Sequence, residues 1–350
     1  MDKFKEKLFG KTLPELRIVT EEVGLPAFAA KQLADWLYKK QVGSIDEMTN
    51  ISLSKRELMT ERYEVGCTPP TECATSVDGV KKYLFQVSDK GYVETVLIPD
   101  RERNTLCVSS QIGCKMGCLF CMTGKQGFSG NLTAGEILNQ IRSVPESTEL
   151  TNLVFMGMGE PMDNYNELLK ALEILTSAYG YARSPRRITV STIGITPTVI
   201  RFIEQSECHL AVSLHASDSA TRLRLMPVEK AYPFEELLEV LERYDFAHQR
   251  RLSFEYIMFD GVNDSRQHAL ALARQLHRLT CRVNLIRFHA IPDVDLKGSP
   301  LPVMEQFRDT LNSKGIICTI RASRGEDIMA ACGMLSTEKA IPKVPSCQPK

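Results

Sequence analysis

From residue 104 onward the sequence alternates runs that suit a β-strand with runs that suit an amphipathic helix. TLCVSS precedes TAGEILNQIRSV, TNLVFMG precedes NYNELLKALEILTSAYG, and RRITVST precedes TPTVIRFIEQ. HLAVSLH, RLSFEYIMF, CRVNLIRFHAI and GIICTIRA add four apolar runs, with FEELLEVLERY and SRQHALALARQLHRL between them. Repeated strand-then-helix units predict an α/β fold with a parallel sheet, closed or partly closed into a barrel, and place function at the C-terminal ends of the strands. The preceding segment differs. Residues 12–62 read as helical, with PAFAAKQLADWLYKK carrying apolar residues at helical spacing and ISLSKRELMTERY opening on helix-start residues. CTPPTE at 67–72 is a proline-rich break, followed by the β-like runs KKYLFQVS and YVETVLIP. The expected division is a helical domain over 1–66, a β-rich connector over 67–103 and a core over 104–350.

Composition narrows the class. The 350 residues leave room for about two domains, and 43% hydrophobic with 25% charged residues is ordinary globular content. The N-terminal MDKFKEKLFGK has no continuous apolar run behind its lysines, and no stretch approaches a membrane span, so a cytosolic protein is expected. The 43 basic and 43 acidic residues cancel. Lys81 with Lys82, Arg183 with Arg186 and Arg187, Arg222 with Arg224, and Arg250 with Arg251 could contact phosphates if folding gathered them; taken singly they read as solvated surface. Eleven cysteines, an odd number spread along the chain, suit a disulfide scaffold poorly and direct attention to metal or thiol chemistry.

Four of those cysteines fall in the 15 residues 107-CVSSQIGCKMGCLFC-121. Cys114, Cys118 and Cys121 form C-x3-C-x2-C in a loop that follows a strand. Three thiolates in a glycine-bearing loop suit a soft metal and above all an iron–sulfur cluster. The same spacing lies on one helix face, so buried structural thiols are the plain alternative, although Gly113 and Gly117 oppose a regular helix. Structural zinc would need a fourth ligand at matching spacing, and no second C-x2-C or H-x3-H pair exists. The next strand loop, 153-LVFMGMGEP-161, ends in Gly157, Gly159 and Glu160: glycines admit a ligand close to backbone, and a carboxylate can meet an ammonium group. Ser191 in VSTIG, and Ser213, Leu214 and His215 in VSLHA, sit at the ends of following strands. Each alone is an ordinary turn former; in series around one barrel mouth they outline a cofactor pocket.

C-x3-C-x-aromatic-C, with Phe120 as the aromatic, resembles the signature of radical S-adenosylmethionine (SAM) enzymes. That resemblance implies a [4Fe-4S] cluster held by Cys114, Cys118 and Cys121, its open iron chelating SAM and cleaving it to a 5′-deoxyadenosyl radical. The partial (β/α) barrel of that superfamily, with a small N-terminal helical domain, is the fold implied. Further motifs, TLCVSSQIGC, MGMGEP, STIG, SLHA, VNLI and RASRGEDIMAACG, are similar in kind and order to those of the radical SAM adenine carbon-2 methyltransferases of 23S ribosomal RNA and transfer RNA. ADWLYKKQVGSIDEMTNIS resembles that family's accessory domain. One departure is His289 in RFHAIP, where the family's SAM contact is expected to be Asn.

The resemblance implies methylation of a 23S adenosine and of adenosine 37 in transfer RNAs through a protein thiol, with two SAM per turnover. Carbon 2 of adenine is electron-poor and cannot attack the sulfonium of SAM directly. In the implied route Cys332 accepts a methyl group, the deoxyadenosyl radical removes a hydrogen from it, and the carbon radical adds to carbon 2. After proton loss Cys107 attacks sulfur, releasing the methylated base and leaving a Cys107–Cys332 disulfide to be reduced. Glu94 matches the family's proton acceptor. An electron donor such as flavodoxin or ferredoxin, an extruded target base and a monomeric enzyme are the corresponding expectations. Arg321 and Arg324 are candidate phosphate contacts, structural salt bridges being the alternative; Cys67, Cys73, Cys208, Cys281, Cys318 and Cys347 match no role. Two other functions compete: the carbon-8 methyltransferase of the same family, and a non-catalytic zinc module that binds RNA. A P-loop is disfavoured because Lys5 stands where FGKT would need the first glycine.

Overall fold

The computed structural model describes residues 5–87, 91–247 and 250–337; Cys347 and the outermost residues of the expected 1–66 and 104–350 domains lie outside them. The chain forms two compact units.

The first unit comprises Met1–Pro70, Leu132–Thr148 and Tyr165–Ser184. Strand β1 (Glu6–Lys7) pairs in parallel with β2 (Tyr63–Glu64), and the helices Leu13–Glu22, Ala29–Ala34 and Leu53–Arg62 lie between them in sequence. Two helices from the strand–helix alternation, Ala134–Arg142 and Tyr165–Thr176, belong to this unit rather than to the barrel unit. Side chains tie these segments together: Tyr38 packs against Phe9 and Tyr181 at ring separations of 5.6 and 6.0 Å. Asn139 meanwhile exchanges hydrogen bonds with the Thr68 backbone at 3.0 and 2.9 Å. A division at residue 66 therefore follows the sequence pattern but not the packing, because the helical segment draws on later helices for its core.

The second unit holds the main sheet. Its strands are β3 (Glu72–Thr75), β4 (Lys81–Val87), β5 (Gly91–Asp100), β6 (Arg103–Cys107), β9 (Asn152–Phe155), β10 (Ile188–Thr192), β11 (His209–Ser213), β12 (Leu252–Met258), β13 (Cys281–Arg287) and β14 (Ile317–Ile320). A separate ribbon pairs β7 (Gln111–Gly113) with β8 (Phe128–Asn131). The ten strands are ordered β14-β13-β12-β11-β10-β9-β6-β5-β4-β3. From β6 to β14 every neighbouring pair is parallel, whereas β5, β4 and β3 extend the sheet antiparallel. The stretch read as a connector is thus the continuation of the barrel sheet, with Val96 opposite Cys107. β14 and β3 are the sheet's two edges, so the barrel is partial.

One face of the parallel strands is apolar and sealed. Leu106, Leu153, Val190, Leu210, Phe254 and Leu285 are all at most 1% exposed. Burying such a row is the main driving force for this layer. The alternate positions turn to the other face, where the chemistry lies.

Candidate active site

The loop between β7 and β8 carries the three clustered cysteines. Gly113 closes it: its φ is +72°, and a Cβ there would stand 1.8 Å from the Gly127 carbonyl oxygen, to which the Cys114 amide donates at 2.8 Å. Only glycine fits that crossing. Gly117, at φ +65°, turns the chain before Cys118, and Cys121 precedes the short helix Met122–Gln126. Phe120 sets its edge on the His215 ring, centroids 4.9 Å apart, and also packs on Phe259. Sequence reading could name the aromatic but not its partner.

Cys114, Cys118 and Cys121 line one pocket with Gly159, Glu160, Ser191, Ser213, His215, Arg321 and Cys332. The residues expected along the strand ends therefore do converge. Burial pushes the Cys114 thiol up to about 12 and holds Cys118 well above the usual thiol range, and the neighbouring thiols add to both. Thiols crowded in this way surrender protons only to bound positive charge. Among the described residues no three His, Cys, Asp or Glu side chains close around a single point as a mononuclear ion requires. Three thiols presented separately by one loop beside a glycine-lined cavity suit a cluster, whose ligands bind different irons.

The other members of the pocket are held firmly. Gly157 runs against Val108 and Ser109, and Gly159 (φ +95°) against Gln111, so the MGMGE backbone lies flush on the chain leading into the cysteine loop. Glu160 accepts from the Met162 and Ile193 amides at 3.0 and 2.9 Å, and burial raises its carboxyl to about 7. Ser191 and Ser213 face each other with hydroxyls 3.5 Å apart. His215 (φ +56°) accepts the Ile257 amide on Nδ1 at 3.0 Å, and burial, with Arg222 nearby, lowers its pKa to about 3. It is thus neutral, and Nε2 is left as a hydrogen-bond donor.

Leu214 and His289 stand apart from the pocket lining. Leu214 is fully buried and contributes backbone only, donating to Glu255 and accepting from Arg222. Both ring nitrogens of His289 are engaged, by Ser323 at 3.0 Å and Glu326 at 3.1 Å. A SAM contact from this side chain would require breaking one of those bonds.

Cys332 opens onto the pocket, its thiol exposed to the cavity. It nevertheless sits deep among protein atoms, which raises its pKa, while the Arg321 guanidinium opposes that rise. Cys107, the last residue of β6, is buried just outside the lining. Its thiol is pushed up to about 12, first by burial and then by Cys332; the Met156 amide and Arg321 oppose this. The two thiols therefore sense each other and share one cation.

Glu94 is 1% exposed and forms an ion pair of 2.9 Å with Lys82, itself 5% exposed. Burial holds its carboxyl above the usual range, against Lys82 and the Ser336 amide, which donates to it at 3.0 Å. Lys82 also reaches the Met329 carbonyl at 3.4 Å. One buried pair thus grips the chain on both sides of Cys332. Sequence reading takes Lys82 for surface charge and misses this.

Two other basic candidates are committed within the protein, Arg222 against the expectation of surface charge and Arg324 in the salt bridge that was its alternative. Arg222 is fully buried, paired with Glu229 and bonded to the Ile193, Ser213 and Leu214 carbonyls, so it stitches strand ends rather than meeting phosphate. Arg324 is pinned to Asp78 at 3.1 Å. Arg321 lines the pocket and pairs with Glu255 at 3.4 Å, and Asn284 donates to the same carboxylate at 2.8 Å. Sequence reading passes over Glu255, although a lone carboxylate in RLSFEYIMF is the kind of signal that marks a site.

Comparison with known proteins follows the same outline. A family model described as the ribosomal RNA large subunit methyltransferase N-terminal domain matches residues 6–65, and the radical SAM superfamily model matches 108–273. The probable dual-specificity RNA methyltransferase RlmN of Parabacteroides distasonis is 62% identical over 337 residues, 96% of this chain and 98% of that protein. The dual-specificity RNA methyltransferase RlmN of Desulfotalea psychrophila is 40% identical over 349 residues, 96% of each chain. The crystal structure of a radical SAM methyltransferase from Sphaerobacter thermophilus superposes with a TM-score of 0.89 at 38% identity, covering 95% of this chain and all of that one.

Proposed function

The chain belongs to the RlmN family of dual-specificity RNA methyltransferases, and on that premise we infer that it methylates carbon 2 of adenosine in 23S ribosomal RNA and transfer RNA. It is a radical SAM enzyme with one [4Fe-4S] cluster, and SAM serves as both methyl donor and radical source. The observation that carries the site assignment is the opening of Cys332 into the same pocket as Cys114, Cys118 and Cys121, with Cys107 in electrostatic range.

Cys114, Cys118 and Cys121 would hold the cluster, and Gly159, Glu160, Ser191, Ser213 and His215 would hold SAM. When bound, these groups supply a methyl group and a 5′-deoxyadenosyl radical. Cys332 is the methyl carrier: its sulfur gains the methyl group and loses its proton, for which the Arg321 guanidinium favours the thiolate. Once the carried carbon is bonded to adenine carbon 2 and that adduct has lost the carbon-2 proton and one electron, for which the bound cluster would be the acceptor, Cys107 resolves the closed-shell thioether. Its thiolate attacks the Cys332 sulfur, an S–S bond forms as the S–C bond breaks, and the electron pair passes to the carbon, which takes up a proton. The resulting disulfide needs two electrons from outside before the next turnover. Glu94 is assigned the proton from carbon 2, and its grip on the Cys332 segment is a second duty.

A one-electron donor of the flavodoxin or ferredoxin type, a monomeric enzyme and a cytosolic setting complete the proposal. No helix among the described residues is long and apolar enough to cross a membrane. Nucleoside mass spectrometry of RNA treated anaerobically with the reconstituted protein tests the reading: 2-methyladenosine is expected with wild type and absent with Cys332→Ala. Appearance of 8-methyladenosine would overturn the position of methylation, and no methylated adenosine with an intact cluster would overturn the substrate.

A further inference from the structure

The loop that carries the clustered cysteines has two faces, and only one of them belongs to the pocket. Cys114, Met116, Cys118 and Phe120 line the cavity. Lys115, Gly117 and Leu119, which alternate with them, are exposed to solvent. A cluster held by the three thiols is therefore parted from water on that side by a single thickness of backbone, and at Gly117 by no side chain. Consecutive Cα atoms are about 3.8 Å apart, so a group seated on Gly117 or Leu119 is one residue away from Cys118.

The surroundings of this outer face are apolar and basic. Leu119 is 41% exposed, and its amide donates at 2.9 Å to the Leu225 carbonyl, the last of the helix Ser219–Leu225, on which Leu223 is 47% exposed. Pro227, in the turn Pro227–Lys230 that follows, stands beside Gly117: a Cβ on the glycine would lie 3.9 Å from the proline ring. Arg224 and Lys230, on that helix and turn, are exposed and have no ion-pair partner among the described residues, whereas Lys115 is paired with Asp163 at 2.8 Å. Residues 114–131 contain no acidic residue, and the one acid within 219–230, Glu229, is buried against Arg222. Exposed leucines beside unpaired positive charge fit an acidic protein partner.

We propose that the outer face of the cysteine loop, with Leu119, Leu223, Arg224 and Lys230, is the docking surface for the electron donor, an acidic flavodoxin. The inference rests on the radical SAM methyltransferase reading and gives its reductant a place. Electron-transfer partners meet through small, weak interfaces, and opposite charge speeds their encounter. In each encounter the flavin is oxidised by one electron and the cluster reduced by one; no covalent bond forms or breaks. RNA, by contrast, must reach Cys332, which lines the pocket on the loop's other face. Donor and RNA are thereby given separate approaches.

The test mixes the full chain, reconstituted anaerobically with its cluster and SAM, with reduced flavodoxin in stopped flow. The long-wavelength absorbance of the one-electron-oxidised flavin reads transfer, and its dependence on flavodoxin concentration reads affinity. Arg224→Glu with Lys230→Glu is expected to weaken the apparent affinity about tenfold or more, and potassium chloride should slow the wild type more than this variant. Leu119→Asn, which keeps the charge, is expected to weaken it as well. Iron content and dithionite-driven methylation should match wild type in both variants. Wild-type affinity and transfer rate in the charge-reversed variant would overturn the proposal. So would a wild type that methylates with dithionite yet does not bind flavodoxin, or loss of RNA affinity with flavin oxidation intact, which would assign the surface to RNA. Failure of the wild type to methylate RNA even with dithionite is a separate outcome that would overturn the methyltransferase reading instead.

Discussion

At the scale of single residues, the environment of a thiol determines what it can do. Cys107 is buried beside Cys332, and its pKa is pushed up to about 12. Below that value the thiolate fraction grows about tenfold per pH unit, so resolution of the enzyme–RNA thioether should accelerate from pH 7 to pH 9. Single-turnover release of methylated RNA, measured across that range, checks the slope; a flat profile would show that Cys107 deprotonation does not limit resolution. Cys107→Ala should leave the thioether unresolved, giving a protein–RNA adduct that survives denaturing electrophoresis and disappears in the double variant with Cys332→Ala. Gly113 presents a different constraint. In Gly113→Ala the new methyl group would collide with the Gly127 carbonyl at 1.8 Å in a left-handed backbone, so the loop should fail to close and iron content after reconstitution should fall severalfold.

At the scale of elements, β4 and β5 do more than extend a sheet. Lys82 and Glu94 form a buried pair whose outer bonds, to the Met329 carbonyl and from the Ser336 amide, bracket the methyl-carrying cysteine. Removing one partner leaves a buried charge uncompensated, so Lys82→Met should cost about 3–5 kcal/mol in denaturant unfolding, whereas removing both as Lys82→Met with Glu94→Leu should cost less. Hydrogen exchange at the Ser336 amide should rise in the single variant, and unchanged exchange would show that the pair does not hold this segment. The same strands show what sequence patterns leave open. KKYLFQVS and YVETVLIP are legible as strands because their β-branched and aromatic residues alternate, but which lysine turns inward depends on a partner 12 residues away. Arg222 looks like surface charge for the same reason: burial of a guanidinium is decided by the carbonyls that meet it, and those come from strand ends brought together only by folding.

At the scale of the whole molecule, the strand–helix alternation and the ordered motifs make the α/β barrel and its cofactor end legible, since spacing along the chain encodes them directly. The partition into units is not legible, because the helices Ala134–Arg142 and Tyr165–Thr176 carry the barrel's periodicity yet belong to the N-terminal unit. Net charge is uninformative too: 43 positive and 43 negative residues cancel. The central claim of the account is that one thiol, Cys332, carries the methyl group from SAM to RNA. Tandem mass spectrometry of the Cys332 peptide, after incubation with methyl-deuterated SAM and then with RNA and reductant, tests it most directly. The expected result is a deuterated methyl group on Cys332 that is lost as deuterium appears in 2-methyladenosine. Label in the RNA with Cys332 never methylated, or methylation of another cysteine in its place, would contradict it.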